Sequence, residues 1–218
     1  MDGSFPDRAA AGAALAEGLA GYAWRPDVIV LGLVRGGVPV AATVAARLGV
    51  ALDVLVIRKL GVPWAPEVAF GALGPGGVAV RNDDVAARLD QADVDRVLAR
   101  EEAELAAREA RYRAGRPPLR LNGRLAVLVD DGLATGATGR AAVAVARELG
   151  AARVVLAVPV GSARALSVLA PLVDELVCPL QPEPFGAVSQ FYDDFHQVTD
   201  REVAEALGSG RVRPPGTV

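Results

Sequence analysis

The sequence predicts an α/β protein built on an open, mostly parallel sheet with helices on both faces. Short apolar runs without polar alternation recur at residues 27–34, 51–57, 125–129, 152–158 and 173–178. That pattern belongs to strands buried on both faces, as parallel strands are. Helical patterns separate most of these runs, and Gly49 and Gly150 stand where two helices should end.

Taken in order, residues 8–22 are Ala-rich and helical in pattern, ending near Gly21. The run at 27–34 is the first strand, bounded by Pro26 and by Gly36-Gly37. A helix over 38–48 leads to the strand at 51–57, which delivers Arg58 and Lys59 at its carboxyl end, so the three form a βαβ unit. Residues 60–82 break the rhythm. Gly61, Pro63, Pro66, Gly71, Gly74 and Pro75 punctuate a loop and a hairpin in which 69–73 pairs with 78–81. A long helix over 92–114 carries Leu98, Leu105 and Tyr112 at heptad spacing beside Val94 and Val97, with charges elsewhere, as a solvated flank should. The rhythm then resumes with a strand at 125–129, a helix at 136–149 and a strand at 152–158. A helix at 162–169, a strand at 173–178 and a short helix at 199–207 complete it. Residues 1–207 should form one domain, with 82–116 a helical insertion and 180–197 a hood segment. The Gly/Pro-rich stretch 208–218 should be a disordered tail.

Composition narrows the function classes. A chain of 218 residues that is 52% apolar can bury one sizeable core. Its net charge of −3 argues against nucleic-acid binding, which calls for a basic face. No stretch approaches the roughly 20 apolar residues of a membrane helix, and residues 1–8 lack the order of a signal peptide. Cys178 is the only cysteine, so neither an internal disulfide nor a thiolate metal cage is possible. A cytoplasmic protein is expected. Of the 23 basic residues, Lys59 is the only lysine. Chance and a need for a compact, flexible ammonium both account for it.

The most informative segment is the strand at 125–129 with the residues that follow it, Asp130, Asp131, Gly132, Leu133, Ala134, Thr135, Gly136, Ala137 and Thr138. A buried strand ends in two adjacent carboxylates, and a Gly/Thr turn then opens a helix. Backbone amides at a helix N-terminus, with small residues and Thr hydroxyls, make a cradle for a phosphate monoester. Neighbouring carboxylates suit sugar hydroxyls, or Mg2+ bound directly or through water. No Gly-Lys-Ser/Thr ending follows, so this is not the phosphate loop of nucleoside triphosphatases.

Residues 130–138 resemble, over their whole length, the phosphoribosyl pyrophosphate (PRPP) signature of type I phosphoribosyltransferases. The resemblance implies that Asp130 and Asp131 hold the ribose 2- and 3-hydroxyls and the metal. It also implies that Thr135, Gly136, Ala137 and Thr138 hold the 5-phosphate, with Gly132 and Ala134 among the PRPP-binding residues. Two weaker segments agree with it. Residues 34–39, with Arg35, Gly36 and Gly37, resemble the family's pyrophosphate loop, although Gly-Gly after a strand is also an ordinary turn. Residues 57–61, with Arg58 and Lys59, resemble the basic strand end that neutralises pyrophosphate in adenine phosphoribosyltransferase, although a solvated strand end reads the same way. Residues 61–67 correspond to the loop that closes over the site. Glu67 is the candidate proton-transfer group there, against the alternative of a surface glutamate.

The resemblance covers about residues 8–207, and the chain as a whole is similar to a bacterial group of phosphoribosyltransferases without an assigned acceptor. Two features depart from the familiar members. Ala134 stands where hypoxanthine-guanine enzymes carry an Asp, and residues 83–116 are an addition. The resemblance implies a Mg2+-dependent enzyme in which a nitrogenous acceptor displaces pyrophosphate from ribose C1. Catalysis would fall to Lys59, Arg58, Glu67, Asp130 and Asp131. Expected partners are PRPP and a small-molecule acceptor, with a homodimer as the candidate assembly. The acceptor is expected at the hood, where Phe191, Tyr192 and Asp193 lie in an aromatic cluster that serves equally well as a small core. The rival functions are a PRPP-binding regulator without turnover and a hydrolase of phosphoribosyl compounds.

Overall fold

The structure, a computed structural model, describes residues 3–209, apart from the side chains of Glu67 and Ser209. The expected tail at 208–218 therefore lies almost wholly outside the described residues. The central sheet has five parallel strands, β1 (Val28–Leu33), β2 (Ala51–Leu55), β6 (Leu125–Val129), β7 (Arg153–Ala157) and β8 (Glu175–Val177). They lie in the order β2-β1-β6-β7-β8. Every residue of β1 and β6 is buried, as their unbroken apolar runs require. In the centre of the sheet Val30 of β1 lies between Leu52 of β2 and Val127 of β6, and Val127 in turn pairs with Val155 of β7. Because all five strands run the same way, the turns after β1 and β6 open at one edge.

Helices cover both faces. On one face lie α1 (Arg8–Gly18), α2 (Gly37–Leu48), α4 (Gln91–Tyr112) and α7 (Asp200–Ser209). On the other lie α5 (Ala137–Glu148) and α6 (Ala163–Leu169). Asp7 starts α1 by accepting a hydrogen bond from the Ala10 amide at 2.7 Å. Gly49 ends α2 at φ +66°, as the sequence predicts.

The departures lie after β2. The second strand stops at Leu55, and Arg58 begins a separate strand, β3 (Arg58–Val62). This strand pairs antiparallel with β4 (Ala65–Gly74), which pairs with β5 (Val78–Arg81). The hairpin of the sequence reading is present, with Gly71 opposite Arg81 and Leu73 opposite Ala79. The expected open loop at 61–67 is instead a tight β3–β4 connection. The physical reason is pairing: Leu55 is the last residue matched to β1, and the chain from Arg58 on pairs antiparallel with β4 in a second sheet. That small sheet lies between α4 and α5. Leu60 joins the core with Val97 and Leu105 of α4, whereas Ala72 joins the one with Val145 of α5. A short helix, α3 (Asp83–Ala86), leads into α4.

A third, smaller core joins the chain's beginning to the hood. Phe5, Ala11, Val160, Phe191 and Tyr192 are buried together. The Phe5 amide donates to the Phe191 carbonyl at 2.8 Å, and the Asp193 amide donates to the Phe5 carbonyl at 2.9 Å.

Candidate functional site

Asp130 and Asp131 emerge from the end of β6 directly opposite the turn between β1 and α2. A methyl group on Gly36 would fall 2.1 Å from Asp131 Oδ2, and one on Gly37 would fall 2.3 Å from the Val129 carbonyl. Only glycine lets the two turns approach so closely. The Val34–Arg35 peptide bond in this turn is cis. The amides of Gly36 and Gly37, and those of Ala134, Thr135 and Gly136, meet no acceptor among the described residues. Two sets of open amides therefore flank one pair of carboxylates. The second set opens α5 with Gly136 at φ +77°, where the helix dipole adds to the attraction for an anion. Its turn is anchored from below. Leu133 donates to the Val160 carbonyl at 3.0 Å, and the Ser162 hydroxyl donates to the Ala134 carbonyl at 2.7 Å.

Burial, then the neighbouring Asp131, pushes the Asp130 carboxyl well above the usual range. Burial raises Asp131 as well, against the pull of Arg8. Arg8 is the part of the site that the sequence reading missed. It is 7% exposed and donates to Asp131 Oδ2 from Nε at 3.0 Å and from Nη2 at 2.9 Å. Its Nη1 donates to the His196 carbonyl at 2.9 Å, and the guanidinium lies 4.1 Å from the centre of the Phe195 ring. An arginine 123 residues upstream of its partner leaves no local pattern to find. Tyr192 was found in a different role: its hydroxyl donates to the Asp131 backbone carbonyl at 2.6 Å.

The remaining candidates divide. Arg58 and Lys59 do not face one ligand together, because consecutive strand residues point to opposite sides. Arg58 turns to α4, where Nε and Nη2 meet Glu101 Oε2 at 2.7 and 2.6 Å. Lys59 turns the other way, into a cavity of about 710 Å3 that Thr135, Gly136 and Arg140 also line. Glu101, 4% exposed, is a second missed residue. A glutamate within the apolar stripe Val94, Val97, Leu105 and Tyr112 was its signal. Arg35 lies 3.7 Å from Asp200, which also takes hydrogen bonds of 2.6 Å from Arg111 and from the Tyr112 hydroxyl. Glu67 is on β4, and its side chain lies outside what the structure describes.

At the hood the aromatic rings are core, not a stacking platform. Phe191 and Tyr192 are 9% and 6% exposed, packed against Phe185, Phe5 and Phe195 at centroid distances of 5.0–5.7 Å. Of the two readings open to the sequence, stacking platform or small core, the burial of these rings favours the core. Asp193 accepts a hydrogen bond from Ser4 at 3.3 Å.

Open amides at two turns thus flank the paired carboxylates of Asp130 and Asp131. Comparison with known proteins gives the family. The model of the phosphoribosyl transferase domain matches residues 4–196, and the chain belongs to that family. It is 52% identical over 205 residues to "Putative phosphoribosyl transferase Rv0571c" of Mycobacterium tuberculosis, covering 93% of this chain and 46% of that protein. The chain thus spans about half the length of that relative. The crystal structure of TT1426 from Thermus thermophilus superposes with a TM-score of 0.87 at 46% identity, over 95% of this chain and 99% of that one. Among the described residues, no helix is long and apolar enough to cross a membrane.

Proposed function

We propose that this chain transfers a phosphoribosyl group from PRPP to a nitrogenous acceptor. The observation that carries the reading is the pair of open-amide turns on either side of Asp130 and Asp131. PRPP offers the matching chemistry of a diphosphate on C1, adjacent hydroxyls and a 5-phosphate. In this reading Gly36 and Gly37 receive the diphosphate, the two carboxylates orient the ribose hydroxyls, and Thr135, Gly136, Ala137 and Thr138 receive the 5-phosphate. Arg8 and Tyr192 fix Asp131 from its side chain and its backbone, so the ribose meets a carboxylate that is already positioned.

The donor set also fits Mg2+. Two hard oxygen ligands on adjacent residues suit an ion that keeps several waters and leans on substrate phosphates. Mg2+ would supply charge neutralisation of the leaving pyrophosphate. As the acceptor's lone pair forms the new bond to C1, the C1–O bond breaks and its electrons leave with pyrophosphate. Arg35 and the open amides beside it stabilise that charge.

Mg-PRPP at a hundredfold over its dissociation constant is expected to stabilise the fold by about 2.7 kcal/mol. A melting curve with millimolar PRPP and Mg2+ measures this, and an unshifted curve overturns the reading. Release of pyrophosphate only when an acceptor from a panel of bases and amines is present separates transfer from hydrolysis and from binding without turnover.

A further inference from the structure

The cavity beside the phosphate turn is larger than a 5-phosphate needs, and its direction is informative. Ala137, Arg140, Ala141 and Ala144 all line it. They sit at i, i+3, i+4 and i+7 of α5, so the cavity follows one face of that helix for about 10 Å. Helix α5 begins at the turn and runs back along the sheet, away from the edge where Asp130 and Asp131 lie. An acceptor must reach C1 of a ribose held at those carboxylates, so this space does not serve it. It serves whatever is attached at the other end of the ribose, beyond the 5-phosphate.

The lining states the chemistry. Lys59, Arg81 and Arg140 line the cavity and form no ion pair among the described residues, in a chain many of whose other cations are paired. Three unpaired cations beside one phosphate turn suit a second phosphate next to the first. Farther in, the lining is small and apolar, an apolar slot to which the small sheet contributes Gly71, Ala72 and Val80 and α5 contributes Ala141 and Ala144. At the rim Asp83 and Asp84 present carboxylates suited to hydroxyl or amino groups. The whole volume, about 710 Å3, is that of a site for a ligand well beyond a monosaccharide phosphate.

We infer that the site accepts a ribose whose 5-phosphate is part of a diphosphate linked to a second group with a planar ring and hydroxyls, as in a nucleoside diphosphate-ribose. The inference rests on the proposed placement of the 5-phosphate at residues 135–138, since the second phosphate is located relative to the first. It makes this chain's ligand wider at the 5 end than PRPP itself.

Calorimetric titration of the full chain with ribose 5-phosphate and with ADP-ribose tests it. ADP-ribose is expected to bind at least about tenfold more tightly. Arg140→Gln, which removes a cation, and Ala144→Leu, which fills the slot, should each bring that advantage below about threefold. Ala144→Leu should leave ribose 5-phosphate unchanged, because it lies about 10 Å from the turn. Equal affinities for the two ligands overturn the inference and leave the PRPP reading standing. An ADP-ribose advantage that survives both substitutions also overturns it, because the ligand then sits elsewhere. Failure of both ligands to bind, together with no stabilisation by Mg-PRPP, removes the reading beneath it.

Discussion

The two sides of the small β3–β4–β5 sheet treat their cations in opposite ways. On the α4 side nearly every arginine has an acid. Arg58 holds Glu101, Arg113 holds Asp53 at 2.9 Å, Arg116 lies 3.5 Å from Asp53, and Arg111 holds Asp200. On the α5 side Lys59 and Arg140 line a cavity, joined by Arg81 from the end of β5, and none of the three has such a partner among the described residues. The first arrangement fastens an added helix to the edge of a parallel sheet. The second leaves positive charge free to meet something that is not protein. Two neighbours in sequence, Arg58 and Lys59, fall on opposite sides of this divide simply because a strand alternates. Pairing thus separates structural from functional charge better than residue type does.

The sharpest test of the paired side is Asp53→Ala. Asp53 and Arg113 are both 8% exposed, and removing one partner leaves a guanidinium buried and unpaired. A loss of about 3–5 kcal/mol in unfolding free energy is expected, read by denaturant titration. A loss below about 1 kcal/mol would mean that water reaches Arg113 readily, and the paired side would not be a fastening.

Lys59→Ala probes the other side. The side chain is exposed and forms no ion pair among the described residues, so the ligand-free protein should change by no more than about 0.5 kcal/mol. ADP-ribose affinity measured by calorimetry should fall about tenfold, or about 1.4 kcal/mol. Unchanged ADP-ribose affinity would make Lys59 an ordinary surface cation and erase the contrast with Arg58.

How much of this was legible in the sequence follows the range of the interactions. The five parallel strands could be read because each is an apolar run whose burial is local information. The phosphate turn could be read because its glycines, threonines and acids are contiguous. The break after Leu55 could not be placed, because Val56 and Ile57 continue the apolar run and only pairing with β4 decides where the strand ends. Arg8 and the Asp53–Arg113 pair were invisible, since contacts across 123 and 60 residues leave no periodic trace. The hood aromatics offered two readings, stacking platform or core, and the sequence could not choose. The residue that chooses is Phe5, whose place beside Tyr192 is a tertiary fact.

The smallest effect is expected at His196, a paired cation that belongs to neither side of the small sheet. Its ring Nδ1 lies 2.9 Å from Asp194 Oδ1 and its Nε2 lies 2.7 Å from Glu202 Oε1, all at the surface. The hydrogen bond to Asp194, then the one to Glu202, raises the imidazole above its ordinary 6.5. Its two acids move the other way. His196 leads the causes that lower Asp194, whereas Thr199 leads those that bring Glu202 down to about 2. A raised histidine stabilises the fold fully below its unfolded value and loses that contribution as pH rises through the folded one. Lowered carboxylates stabilise above their unfolded values and lose the contribution as pH falls through the folded ones. The two conditions overlap from about pH 4.5 to about pH 6.5. His196→Asn should therefore lower the melting temperature most within that window, and the difference from the parent should shrink toward about pH 9. Solvent screening keeps the effect small, as for other exposed pairs. A difference that stays constant to about pH 9 would mean that the His196 side chain contributes through packing and not through its charge. Exposure would then be no guide to what a paired charge contributes here.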